Sequence, residues 1–150
     1  MDVDWGAEVV DQLEAHWRDQ LRPRLDGLTD DEYFWQPAPE PVTTIAWRLA
    51  HVCDVLASTS SMHFGRAATT TPTYPYAGSA QEALRQLDDE YALWIAGVRG
   101  LGMAGLSEPQ GAPPAFAEAP VAKLMLYINV EVIHHGAEIC LLRDLYLQKT

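Results

Sequence analysis

The sequence predicts an all-α protein, a bundle of four long helices. Apolar residues recur three and four apart over four long stretches, each bounded by capping residues, glycine or proline. Strand signals do not compete: β-branched alternation is missing, and no Asn-Gly or Asp-Gly hairpin turn is present. At 150 residues the chain suits a single domain, residues 1–150, large enough for a core without staples.

The first helix is expected over residues 4–21, with Trp5, Val9, Leu13, Trp17 and Leu21 on one stripe. After Pro23 and Gly27, Thr29 and Glu32 have the spacing of a capping box and open a short helical turn. Its acidic residues Asp30, Asp31 and Glu32 suit a first turn and lack the layout of a calcium loop. Gln36 to Pro41 is a stiff, proline-rich connection. Thr43 or Thr44 caps a second helix from Ile45 to about Phe64, with Ile45, Leu49, Val52 and Leu56 as its ridge and His51 beside Trp47 and Val55. Gly65 ends it, and Arg66 to Gly78 reads as a loop. Ser79 caps a third helix over roughly 79–99, facing inward with Ala83, Leu87, Tyr91, Trp94 and Val98. Glycines 97, 100, 102 and 105 and prolines 109, 113 and 114 suggest a long loop after it. The fourth helix begins with Pro120 at its first position and runs to about Leu147.

Composition narrows the function. A hydrophobic share of 48%, a charged share of 21% and a net charge of −11 are those of an acidic globular protein. Phosphate binding needs a basic surface, so neither nucleic acid nor an anionic membrane is an expected partner. No signal peptide and no membrane-length apolar run is visible, so a cytoplasmic location is expected. Cys53 and Cys140 sit in apolar helical patterns without a CxxC pairing and read as small buried residues. Glycine-rich phosphate loops and Gly-x-Ser-x-Gly elbows are absent.

One segment carries an unusual polar load. Leu124, Tyr127, Glu131, His135, Glu138 and Leu142 share a stripe of the fourth helix, with His134 on its flank. That stripe reads as the core face, where ionisable groups are costly unless paired or metal-bound. Glu131 and His135, four apart, can reach one ion, and His51 is the best third ligand from elsewhere in the chain. Two imidazoles and a carboxylate form a recognised catalytic zinc shell and also suit nickel, iron or manganese. His134, three residues from Glu131, is the other possible ligand, but Glu138 as an orienting partner favours His135. A buried imidazole–carboxylate hydrogen-bond network explains the same residues without a metal. His16 and His63 read as partly exposed helix residues, Arg143 and Asp144 as a solvated or interhelical pair, and Trp47, Tyr91, Trp94 and Tyr127 as core aromatics.

The segments Thr44-Ile-Ala-Trp-Arg-Leu-Ala-His51, Glu131-Val-Ile-His-His-Gly-Ala-Glu-Ile139 and Leu141-Leu-Arg-Asp-Leu-Tyr146, with Leu25-Asp-Gly-Leu-Thr-Asp-Asp-Glu-Tyr33 before them, resemble the DinB-like superfamily. This group of metalloenzymes includes mycothiol-dependent maleylpyruvate isomerases and other low-molecular-weight-thiol transferases. The resemblance implies a four-helix bundle of up-down-down-up topology. It implies a metal site on His51, Glu131 and His135, where many members have histidine at the Glu131 position and the isomerase branch has glutamate. The C-terminal domain of those isomerases has no counterpart in these 150 residues, and no thiol-binding signature is seen in the loop from Arg66 to Gly78.

The expected function is therefore a divalent-metal enzyme, zinc first, acting on a small molecule with the help of a low-molecular-weight thiol, as a transferase or isomerase. Its alternatives are a metal-dependent hydrolase and a non-catalytic bundle that binds or dimerises around a structural polar cluster. His134 and Glu138 are the candidates for acid–base or orienting roles, and a homodimer is expected.

Overall fold

A computed structural model describes residues 2–68 and 76–149 of the protein. The described residues are helical and joined by short connections, with no strand among them beyond an isolated antiparallel bridge between Pro109 and Pro120.

Helix α1 spans Trp5–His16 and is capped by the Asp4 carboxylate, which accepts from the Ala7 amide at 3.1 Å. It continues without a break through one wide π-helical turn, Trp17–Leu21, into a last α-turn, Arg22–Arg24. The wide turn lies just ahead of Pro23, whose ring would collide with the carbonyl four residues back in a regular α-helix. The expected stripe is recovered only in part. Leu13 and Leu21 are buried, Val9 and Trp17 half-buried, and Trp5 is 63% exposed at the helix start. Trp17 stacks flat on Tyr91 of the third long helix, their centroids 3.7 Å apart.

Helix α2, Asp30–Phe34, has the expected capping box: Thr29 Oγ1 accepts from the Glu32 amide, and Glu32 Oε2 accepts from the Thr29 amide. Glu32 is nonetheless buried rather than solvated, because Arg143 also donates to it at 3.0 Å. Helix α3, Ile45–His63, starts from a Thr44 cap and buries the predicted ridge of Ile45, Leu49, Val52 and Leu56. Gly65 stops it with a positive φ of 69°. Of the expected loop Arg66 to Gly78, residues 69–75 lie outside the described residues.

Helix α4, Ala80–Ser107, corrects the sequence reading. It runs on past residue 99 instead of dissolving into a glycine-rich loop, and only Gly102 leaves the helical region, with φ 58° and ψ −173°. Gly97 is there for packing rather than for a turn. A Cβ on it would stand 2.2 Å from the Phe64 ring, so glycine lets the end of α3 close onto α4. Helix α5, Val121–Gln148, begins one residue later than expected, with Pro120 as the cap instead of the first helical residue. The connection from α4 is pinned by the Val121 amide donating to the Glu108 carbonyl at 2.8 Å.

The long helices close on one another in a ring: α1 packs on α4 and α5, α3 packs on the same two, and α4 also touches α5. Leu13, Leu49, Leu56, Leu87, Trp94, Met125, Ile128, Val132 and Ile139 fill the space between them. Asn129, buried on α5, donates to the Val9 carbonyl at 2.9 Å and thereby ties α5 to α1. The Arg143–Asp144 pair is not formed; the two residues reach different partners, Glu32 and Arg24. Among the described residues no helix is long and apolar enough to cross a membrane.

Candidate metal centre

The α3–α5 contact sets the site. His51 comes from the second turn of α3, and Glu131 and His135 from successive turns of α5. Glu131 Oε2 lies 3.4 Å from His51 Nε2 and 3.4 Å from His135 Nε2. All three ligand atoms fall within 4.8 Å of one another. The side chains are 32%, 19% and 16% exposed for His51, Glu131 and His135, so the cluster sits at a rim that solvent and small molecules can reach.

This corrects the placement of the polar stripe. Leu124, Glu131, His135, Glu138 and Leu142 are half-buried and Tyr127 is exposed. The core face of α5 is rotated away from them, onto Val121, Met125, Ile128, Val132, Gly136 and Ile139. The charged groups therefore escape the full desolvation cost that a core position would impose.

Each ring is held from behind. Trp47, one turn before His51, stacks on its imidazole with centroids 5.1 Å apart and planes 12° from parallel. His135 Nδ1 is 2.7 Å from Glu138 Oε2, and the same oxygen accepts from Arg48 Nε at 2.9 Å. Burial pushes the Glu138 carboxyl up, but the hydrogen bonds from His135 and Arg48, with the Arg48 charge, outweigh it and hold the group below its ordinary value. The nearby Glu131 carboxylate, together with partial burial, raises the Tyr127 phenol. His134 is 62% exposed and lies 3.3 Å from Glu138 Oε1, making His134, His135 and Glu138 a second close group.

The two kinds of His–Glu contact differ in length. At 2.7 Å the His135–Glu138 contact has the length of a charge-assisted hydrogen bond. The two Glu131 contacts, both 3.4 Å, are long for one. Ligand atoms 2.0–2.1 Å from one tetrahedral zinc ion stand about 3.4 Å apart. Two imidazole nitrogens and a carboxylate oxygen at this spacing are a donor set that can hold a divalent ion.

Sequence reasoning named His51, Glu131, His135, His134 and Glu138, and the structure brings all of them together. It missed Arg48, whose signal was its place one turn before His51, and it read Trp47 and Tyr127 as core. Both of these border the site instead, Trp47 half-buried against His51 and Tyr127 exposed beside Glu131. His16 and His63 lie elsewhere, both half-buried, with burial lowering their imidazoles. Cys53 and Cys140 are free thiols, buried and half-buried, and burial raises both.

The architecture is thus a helical protein with a His–Glu–His cluster between two of its long helices. The DinB superfamily model matches residues 12–139, and the chain belongs to that superfamily, a group associated with metal binding. No curated protein and no solved structure shows a match to the chain.

Proposed function

We propose that the protein is a divalent-metal-dependent enzyme that holds zinc on His51 Nε2, Glu131 Oε2 and His135 Nε2. Nickel, iron and manganese suit the same donors. The observation that carries this reading is the pair of 3.4 Å contacts around Glu131 Oε2, matching the edge of a zinc tetrahedron. Bound by these residues, the metal would act as a Lewis acid, lowering the pKa of a coordinated water toward about 7 and favouring the thiolate of a coordinated thiol.

The chain's own residues supply the rest. Glu138 holds His135 in orientation, and Trp47 fixes the plane of His51. His134, exposed and next to Glu138, is placed to exchange a proton with a small molecule at the rim. The resemblance to thiol transferases and maleylpyruvate isomerases makes a low-molecular-weight thiol the co-substrate of choice, for transfer or isomerisation. A metal-dependent hydrolase would use the same shell with water. The ring of helix contacts fits a four-helix bundle as the scaffold, and the family resemblance implies its up-down-down-up topology.

The test is the metal content of untagged, chelator-free protein, by mass spectrometry, beside His135→Ala. Near-stoichiometric zinc, nickel, iron or manganese in the parent and its loss in the variant are expected. Parent protein that is metal-free and ignores added ions would leave a structural hydrogen-bond cluster and a non-catalytic bundle.

A further inference from the structure

The chain holds ten lysines and arginines against 21 aspartates and glutamates, and all ten lie among the described residues. Every arginine ends on a carboxylate of the same chain, and Lys123 and Lys149 rest over the rings of Phe116 and Tyr146. Arg48, which borders the metal cluster, is taken up by Glu138 at 2.9 Å. Its Nη1 is sealed from solvent, so a ligand at the rim does not reach it. A carboxylate or phosphate on a substrate is ordinarily met by such a cation. Here the chain leaves none for it.

The opposite charge is present. Trp47, His51, Asp54 and Ser58, at spacings of four, three and four, share one stripe of α3. Asp54 is half-buried on it, and among the described residues no hydrogen bond or ion pair engages its carboxylate. Arg48 meets Glu138 while His51 meets Glu131, so the contacts climb α3 as they descend α5. Asp54 and Ser58 therefore come on the Tyr127 side of the cluster, away from the Arg48–Glu138 pair. Tyr127, 56% exposed, adds an aromatic ring there, a surface that attracts cations.

A divalent ion does not reverse this balance. Glu131 cancels one of its charges, a single anion in the open position cancels the other, and Arg48 and Glu138 cancel each other. Asp54 then leaves the rim negative, within a chain of net charge −11.

We propose that the metal centre selects small molecules by charge, with Asp54 as the specificity-determining group. It takes cationic molecules first and uncharged ones next, and turns away those that carry a carboxylate, sulfonate or phosphate. This rests on the metal reading and narrows its substrate class.

Three thiols built on one short arm test it. Thiocholine, 2-mercaptoethanol and 2-mercaptoethanesulfonate end in a quaternary ammonium, a hydroxyl and a sulfonate. Each is titrated into cobalt-loaded protein without oxygen at about pH 8, where imidazoles are ordinarily neutral. The thiolate-to-cobalt absorption band reports binding. In the parent, affinity is expected to fall from thiocholine through mercaptoethanol to mercaptoethanesulfonate. Asp54→Asn should shrink the ratio of the thiocholine to the mercaptoethanesulfonate affinity about tenfold, and Asp54→Glu should keep it. Comparing ratios between variants cancels the thiols' own differences in acidity. With cobalt bound, an unchanged ratio in Asp54→Asn, a preference for the sulfonate, or no thiol band at all overturns the proposal and leaves the metal centre standing. Protein that takes up no cobalt overturns the metal reading, and this proposal with it.

Discussion

His135 presents one nitrogen to Glu131 and the other to Glu138, and the two contacts differ in kind. Glu138 is paired with Arg48 and so accepts rather than donates, which places the proton of a neutral His135 on Nδ1 and leaves Nε2 bare. That bare nitrogen faces a second acceptor, Glu131 Oε2, an arrangement that a shared cation relieves. Arg48 is bound to this role at some expense, because its second guanidinium nitrogen is buried without a partner. Glu138→Ala should therefore release the tautomer and weaken metal binding about 10–100-fold. Glu138→Gln, whose carbonyl oxygen can still accept from both Arg48 and His135, should retain more of each. Side-chain 15N shifts of metal-free protein, at a pH where the ring is neutral, report the tautomer directly. A parent His135 protonated at Nε2 would contradict this account even if the protein binds zinc.

The elements show where a sequence is legible and where it is not. Caps were readable because they depend on local spacing: Thr29 with Glu32, Thr44 and Ser79 all accept from the amide three residues on. The α3 ridge was readable for the same reason. The glycines after residue 96 misled, because a glycine demanded by a distant ring looks in sequence like one demanded by a turn. The face of α5 misled too. Nearly all its faces are apolar, so periodicity could not say which one meets the core, and the His–Glu stripe was assigned inward when it lies at the rim. The cluster itself was legible, since four of its members share one helix at i, i+3, i+4 and i+7. Arg48 was not, because its partner Glu138 is 90 residues away. Two adjacent substitutions separate the meanings of glycine. Gly97→Ala should destabilise by about 1–3 kcal/mol, since its Cβ would press into Phe64. Gly100→Ala, with nothing within 4 Å of its Cβ, should stabilise by about 0.5–1 kcal/mol. Thermal melts of the two should shift in opposite directions, and a shared sign would refute the packing account of Gly97.

At the scale of the whole molecule, acid should act in two stages that belong to different residues. His16 and His63 are partly buried, and burial holds both below the ordinary 6.5, by more than the Gln20 hydrogen bond returns to His16. The unfolded chain therefore takes up protons first as pH falls past 6.5, so stability drops from there down through the folded values. Glu32 gives the second stage. Burial raises its carboxyl, but hydrogen bonds from Thr29 and Arg143 outweigh this and hold it below 4.5. Its contribution is complete above 4.5 and is lost as pH falls below that, through the folded value, when the Arg143 contact loses its charged partner. Acidification also relieves the repulsion within a chain of net charge −11, an opposing and diffuse effect. The comparison must then be between variants, not along one curve. In chelator, so that metal release plays no part, urea midpoints of the parent should fall between pH 7 and 5 more steeply than those of His16→Gln with His63→Gln. Glu32→Gln should be less stable at pH 7 and lose less than the parent between pH 5 and 3. Parallel profiles for parent and histidine variants would place the first stage elsewhere in the molecule.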